Sequence, residues 1–147
     1  MGKVIIVSNR MSTSVSRGAD GFTFSPSVGG LATGLSSMHA QEDSIWIGWS
    51  GLPSDTLTQD ERSEIAVRLR SEHKSIPVDL STRDLDLFYY GFCNNVIWPL
   101  FHYFPTYVDY NDEFWESYRD VNSRYFDKVK EHVEEGDFVC VHDYQLL

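Results

Sequence analysis

Four short apolar runs, Lys3–Ser8, Ser44–Ser50, Ser75–Asp79 and Asp137–Val141, recur along the chain, and helical patterns fill the intervals between them. Runs this short and this rich in Val and Ile suit strands buried on both faces. Leu31, Leu35 and Met38 share one face of a short helix. Thr58-Gln-Asp-Glu61 reads as a capping box that opens a helix near 59–72. Ser81-Thr-Arg-Asp84 is a second such signal, and the helix it opens should break or kink at Pro99. Asn111 or Asp112 caps a long helix to about Glu135. Its apolar positions Phe114, Tyr118, Val121, Tyr125, Val129 and Val133 are spaced by three or four, and Gly136 stops it. Residues 11–27, rich in Ser, Thr and Gly, read as a mobile loop. Strands that alternate with helices predict an α/β fold with a doubly wound parallel sheet. In such a sheet ligands bind beyond the strand C-termini. Arg10, Trp49-Ser50 and His142-Asp143 fall there by sequence.

A chain of 147 residues is about one domain and can bury a real core. Its net charge of −10 argues against nucleic acid as a partner. No stretch approaches a membrane span, and Met-Gly-Lys-Val-Ile-Ile-Val lacks the layout of a signal peptide. Cys93 and Cys140 sit in apolar settings, which fits two buried free thiols in a reducing cytosol. The five histidines show no H-E-x-x-H spacing and the two cysteines form no metal-like cluster, so no protein-bound metal is expected.

Residues 88–107 hold nine aromatic side chains in 20 positions, interleaved with amides, an imidazole and two prolines. Stacking faces with hydrogen-bonding tips suit a sugar pocket, and they equally suit a buried structural helix. Gly29-Gly30 ahead of a helix is either an anion cradle or a plain glycine turn. Arg10 is either a phosphate clamp or a surface arginine. Asp143 could accept from sugar hydroxyls, act as a base, or cap a following helix.

Taken in order, Val7-Ser-Asn-Arg10, Gly29-Gly-Leu-Ala-Thr-Gly34, Trp46-Ile-Gly-Trp-Ser-Gly51, Phe88-Tyr-Tyr-Gly-Phe92, Trp98-Pro-Leu-Phe-His-Tyr103 and Val141-His-Asp-Tyr-Gln-Leu-Leu147 resemble the N-terminal part of the trehalose-6-phosphate synthases. These are retaining family 20 glycosyltransferases with two Rossmann-like domains, the GT-B architecture. The resemblance implies transfer of glucose from UDP-glucose to glucose 6-phosphate, without a metal or cofactor. By position it implies that Arg10, Tyr89, Trp98 and Asp143 bind the acceptor, and that Gly29 and Gly30 contact the donor diphosphate. Phe88, Phe92, Phe101 and Phe104 would be packing.

Residues 1–147 would then be a partial acceptor-side domain. The donor-binding domain, with its cations, would lie outside them, and no catalytic residue is assigned within them. Such a part is expected to be inactive alone. Gln145 departs from the His of many relatives. A relative with another acceptor, such as a glucosylglycerol-phosphate synthase, or a non-catalytic sugar-phosphate sensor are the other readings. The partners expected are small molecules in the cytoplasm, and homo-oligomerisation is left open.

Overall fold

The computed structural model describes residues 2–28, 30–40 and 43–147, without the side chains of Leu31, Ala32 and Ser36. Six strands form: β1 Val4–Arg10, β2 Thr13–Gly18, β3 Gly21–Pro26, β4 Ser44–Trp49, β5 Ser75–Pro77 and β6 Phe138–His142. The helices are α1 Gly30–His39, α2 Gln59–His73, α3 Thr82–Asp84, a π-helical segment Leu85–Ile97, α4 Trp98–Phe101 and α5 Asp112–Lys130. Four strands make a parallel sheet in the order β5-β4-β1-β6. The chain builds outward from β1 to β4 and β5, then returns to set β6 on the other side of β1. The order therefore reverses between β1 and β6, the crevice where doubly wound sheets bind ligands.

Alternate β1 residues point to opposite faces, which is why the sheet is covered twice. Ile5 and Val7 join Phe88, Tyr118, Val121 and Tyr125 beneath the π-helix and α5. Ile6 joins Trp46, Met11, Val15, Ile65 and Leu69, with α2, Leu35 and Met38 on that side. Both predicted capping boxes form, Thr58 with Glu61 and Ser81 with Asp84. Asn111 caps α5 by accepting from the Glu113 amide at 2.8 Å.

Residues 11–27 are not a loop: β2 and β3 pair antiparallel as a hairpin. Their Ser/Thr content hides a period of two, in which Thr13 and Val15 are buried and Phe22 and Phe24 pack on the Trp46 cluster. The hairpin is held on α2 by a 2.7 Å Arg17–Glu61 pair and by Arg68 over the Phe24 ring at 4.1 Å. The helix changes character at Pro99: the π-helical segment ends at Ile97, Pro99 sits in the first turn of α4, and the helix ends at Phe101. An α-helical turn would pair the Asn95 carbonyl with the N–H that proline lacks; here Asp109 supplies its amide at 3.1 Å instead. α5 stops at Lys130, short of Glu135, and irregular turns lead to Gly136, whose φ is +91°.

The aromatic segment is wound with about one extra residue per turn. Phe88, Cys93 and Ile97, spaced five and four apart, are buried along it. A Cβ on Gly91 would stand 2.7 Å from the Phe114 ring, so glycine is what lets α5 approach. Phe88 is fully buried, and Phe92 packs on Tyr118 at 4.6 Å between ring centres. Phe101 and Phe104 are exposed, contrary to the packing role expected of them. Cys93 is buried, but Cys140 is only partly so. No helix among the described residues is long and apolar enough to cross a membrane.

Candidate functional site

A cavity of about 310 Å³ opens at the C-terminal ends of β1, β4 and β6. It brings together Arg10 from the end of β1, Tyr89 from the π-helix and Asp143 from the turn after β6. Trp49, Asn9 and Gln145 also line it. Arg10 is the one cation among the described lining residues.

Arg10 is positioned by its neighbours. Trp46 Nε1 donates to Ser8 Oγ at 2.8 Å, and the Ser8 hydroxyl donates to the Arg10 carbonyl at 2.7 Å. Both Trp46 and Ser8 are fully buried, so this relay fixes the backbone where β1 leaves its regular pairing with β4. The adjacent Asn9 carbonyl accepts from the Tyr125 hydroxyl at 2.7 Å, and burial pushes that phenol far above its ordinary pKa. The guanidinium carbon stands 5.1 Å from the Trp49 ring centre. The Trp49 indole is itself anchored to the Leu52 carbonyl at 3.0 Å. A Cβ on Gly51, where φ is +104°, would meet Arg10 Nη2 at 2.7 Å. The Trp-Ser-Gly segment after β4 thus supplies both a face for the arginine and room beside it.

Asp143 has φ +72°, a left-handed conformation that aspartate tolerates better than most residues. Its Oδ1 accepts from the Tyr144 amide at 2.8 Å. The following turn is tied to α5: Tyr118 donates its hydroxyl to the Tyr144 carbonyl at 3.0 Å, and Asn122 donates to the Gln145 carbonyl at 3.1 Å. Burial and then the Asp143 charge push Cys93 up to about 12, and the same two causes push Tyr144 up to about 12. Both groups stay neutral beside the cavity. Tyr89 is half-buried against the core, its ring edge-on to Tyr90 at 5.1 Å.

Trp98 does not line the cavity. Its residue is 48% exposed, with its ring over His102 at 3.7 Å and 5.7 Å from Tyr144. Gly29 lies outside the described residues. Gly30 opens α1 without bordering the cavity, although Ser27 and Val28 just before it do. Sequence reasoning placed Trp49 at the strand end without giving it a role, and it passed over Asn9. The signal for both was their position at a strand C-terminus. No cluster of three or more metal-ligating side chains occurs among the described residues.

The model of glycosyltransferase family 20 matches residues 2–147. The chain belongs to glycosyltransferase family 20. It is 36% identical over 146 residues to the UDP-forming α,α-trehalose-phosphate synthase of Emericella nidulans, covering 99% of this chain and 28% of that protein. The crystal structure of an α,α-trehalose-phosphate synthase from Burkholderia vietnamiensis superposes with a TM-score of 0.75 at 29% identity, over 99% of this chain and 28% of the other. The synthase from Burkholderia xenovorans in complex with glucose-6-phosphate superposes with a TM-score of 0.66 at 30% identity, covering 99% and 30%. The family 20 chain therefore spans somewhat more than a quarter of the length of these relatives.

Proposed function

We propose that residues 1–147 form the acceptor-side part of a UDP-forming α,α-trehalose-phosphate synthase, which transfers glucose from UDP-glucose to glucose 6-phosphate with retention. The observation that carries this reading is the convergence of Arg10, Tyr89 and Asp143 on one cavity at the strand-order reversal. Arg10 would pair with the acceptor phosphate, its fork held open by Trp49 and Gly51. The exposed Asp143 carboxylate would accept hydrogen bonds from sugar hydroxyls, and the Tyr89 ring would offer a wall for the sugar. Trp98, whose ring lies 5.7 Å from that of Tyr144, would act from beside the cavity rather than inside it. Fixing the acceptor this way turns an encounter between two substrates into a positioned attack.

The donor diphosphate would meet the segment around Gly29 and Gly30, at the N-terminus of α1, where the helix dipole favours an anion. The uridine and the remaining phosphate contacts would come from a second domain beyond residues 1–147. In the family's mechanism the leaving phosphate takes the acceptor proton on the same face of the sugar, which needs charge stabilisation from cations. Among the described residues lining the cavity, Arg10 provides one. The partners in this reading are the two sugar substrates: a chain of net charge −10 suits neither nucleic acid nor an anionic surface. Free Cys93 and Cys140 fit a cytosolic setting.

UDP release from UDP-glucose and glucose 6-phosphate tests the division of labour. The 147 residues alone should give none, and measurable turnover by them would overturn it. An acceptor panel on the family 20 protein as expressed in its host tests the substrate: preference for glycerol 3-phosphate would reassign the enzyme.

A further inference from the structure

Asn9 borders the same cavity as Arg10 and Asp143, yet nothing among the described residues uses its side-chain oxygen. The residue is only 8% exposed, and Oδ1 is buried without a hydrogen-bond donor among the described residues. An unpaired buried amide oxygen is destabilising and rare in native structures. The backbone beside it is rigid, since the Tyr125 hydroxyl holds the Asn9 carbonyl at 2.7 Å. The carboxamide itself is not held at Oδ1, and the torsion about Cβ–Cγ is soft. The oxygen is thus left for a ligand in the cavity that Asn9 lines.

We propose that Asn9 is a specificity-determining residue of the acceptor site, its side-chain amide accepting a hydrogen bond from a ring hydroxyl of the bound sugar phosphate. This rests on the acceptor-site reading given above. The chemistry favours an amide here over a carboxylate. Either group would accept from a hydroxyl. A carboxylate would add a second negative charge beside Asp143, in a cavity where Arg10 is the one described cation and a phosphate must enter. A neutral acceptor reads the hydroxyl without repelling the phosphate. A site built to pair with a substrate hydroxyl also rejects analogues lacking it, because its own polar group is then left buried and unpaired.

The test is calorimetric titration of the 147-residue chain, as wild type, Asn9→Ala and Asn9→Asp, with glucose 6-phosphate and its monodeoxy analogues. Asn9→Ala should weaken glucose 6-phosphate about tenfold. One deoxy analogue should lose a similar factor against wild type and nothing further against Asn9→Ala. Asn9→Asp should keep the discrimination against that analogue while binding every sugar phosphate more weakly. Unchanged affinity in Asn9→Ala, or an equal loss for every analogue with discrimination intact, would overturn the role. Should Asn9→Ala not fold, Asn9→Asp decides: lost discrimination there would overturn it too. A wild-type chain that binds no glucose 6-phosphate would remove the acceptor-site reading, and Asn9's role with it.

Discussion

Arg10 owes its place to its neighbours. The buried relay from Trp46 through Ser8 sets the backbone, Trp49 supplies a ring for the guanidinium, and Gly51 leaves the space beside it. Gly51→Ala should therefore displace the guanidinium and strain a backbone at φ +104°. Glucose 6-phosphate affinity should fall several-fold, with a loss of stability of about 1–2 kcal/mol seen by denaturant titration. Affinity unchanged beside the stability loss would separate Gly51 from the arginine's placement. At this scale the sequence was partly legible. Arg10 and Asp143 could be placed at the cavity because Arg10 ends β1 and Asp143 follows β6, and strand ends are where ligands gather. Trp98 was expected in the wall, but helix α4 carries its ring out to His102 and Tyr144. The π-helical segment just before it, with its extra residue per turn, turns every later side chain to a direction that α-helical spacing does not give.

Among the elements, the helix that carries Tyr89 is tied down at its start. Arg124 of α5 holds Asp84 with a fork at 2.6 and 3.0 Å and also donates to the Asp79 carbonyl at 2.9 Å. Burial alone would raise the Asp84 pKa. The Arg124 fork and the Ser81 amide outweigh it and hold the carboxyl below its ordinary value. A folded-state pKa below the unfolded one stabilises the fold above the unfolded value near 4, and that contribution is lost as pH falls through the folded value. Thermal melts from pH 7 down to about pH 3 should show a steeper acid loss for wild type than for Asp84→Asn; parallel curves would count against this tie. Capping boxes and the period of α5 made the helices readable. The hairpin was missed because Ser and Thr occupy its outward positions, and the buried Val15 and the packed Phe22 and Phe24 stand too far apart to look like one strand pair. At Pro99 the π-helical segment gives way to α4, and the Asn95 carbonyl is paired by the Asp109 amide from ten residues downstream of the proline.

At the scale of the whole molecule, strand order does most to locate function. The reversal between β1 and β6 opens the crevice, β1 delivers Arg10 to it, and the turn after β6 delivers Asp143. The parallel order was implied by alternation of strands and helices, whereas the position of the reversal was not, because nothing local in a strand says which neighbour it will take. In a protein of net charge −10, Arg10 is the one cation among the described residues that line the crevice. The central claim is thus that this crevice binds a sugar phosphate through Arg10. Titration of glucose 6-phosphate into wild type and Arg10→Ala measures it directly. Saturable binding by wild type, weakened by about 1.5–3 kcal/mol in a folded Arg10→Ala, is the expected result. Equal affinity of the two proteins, or no binding by wild type, would contradict it.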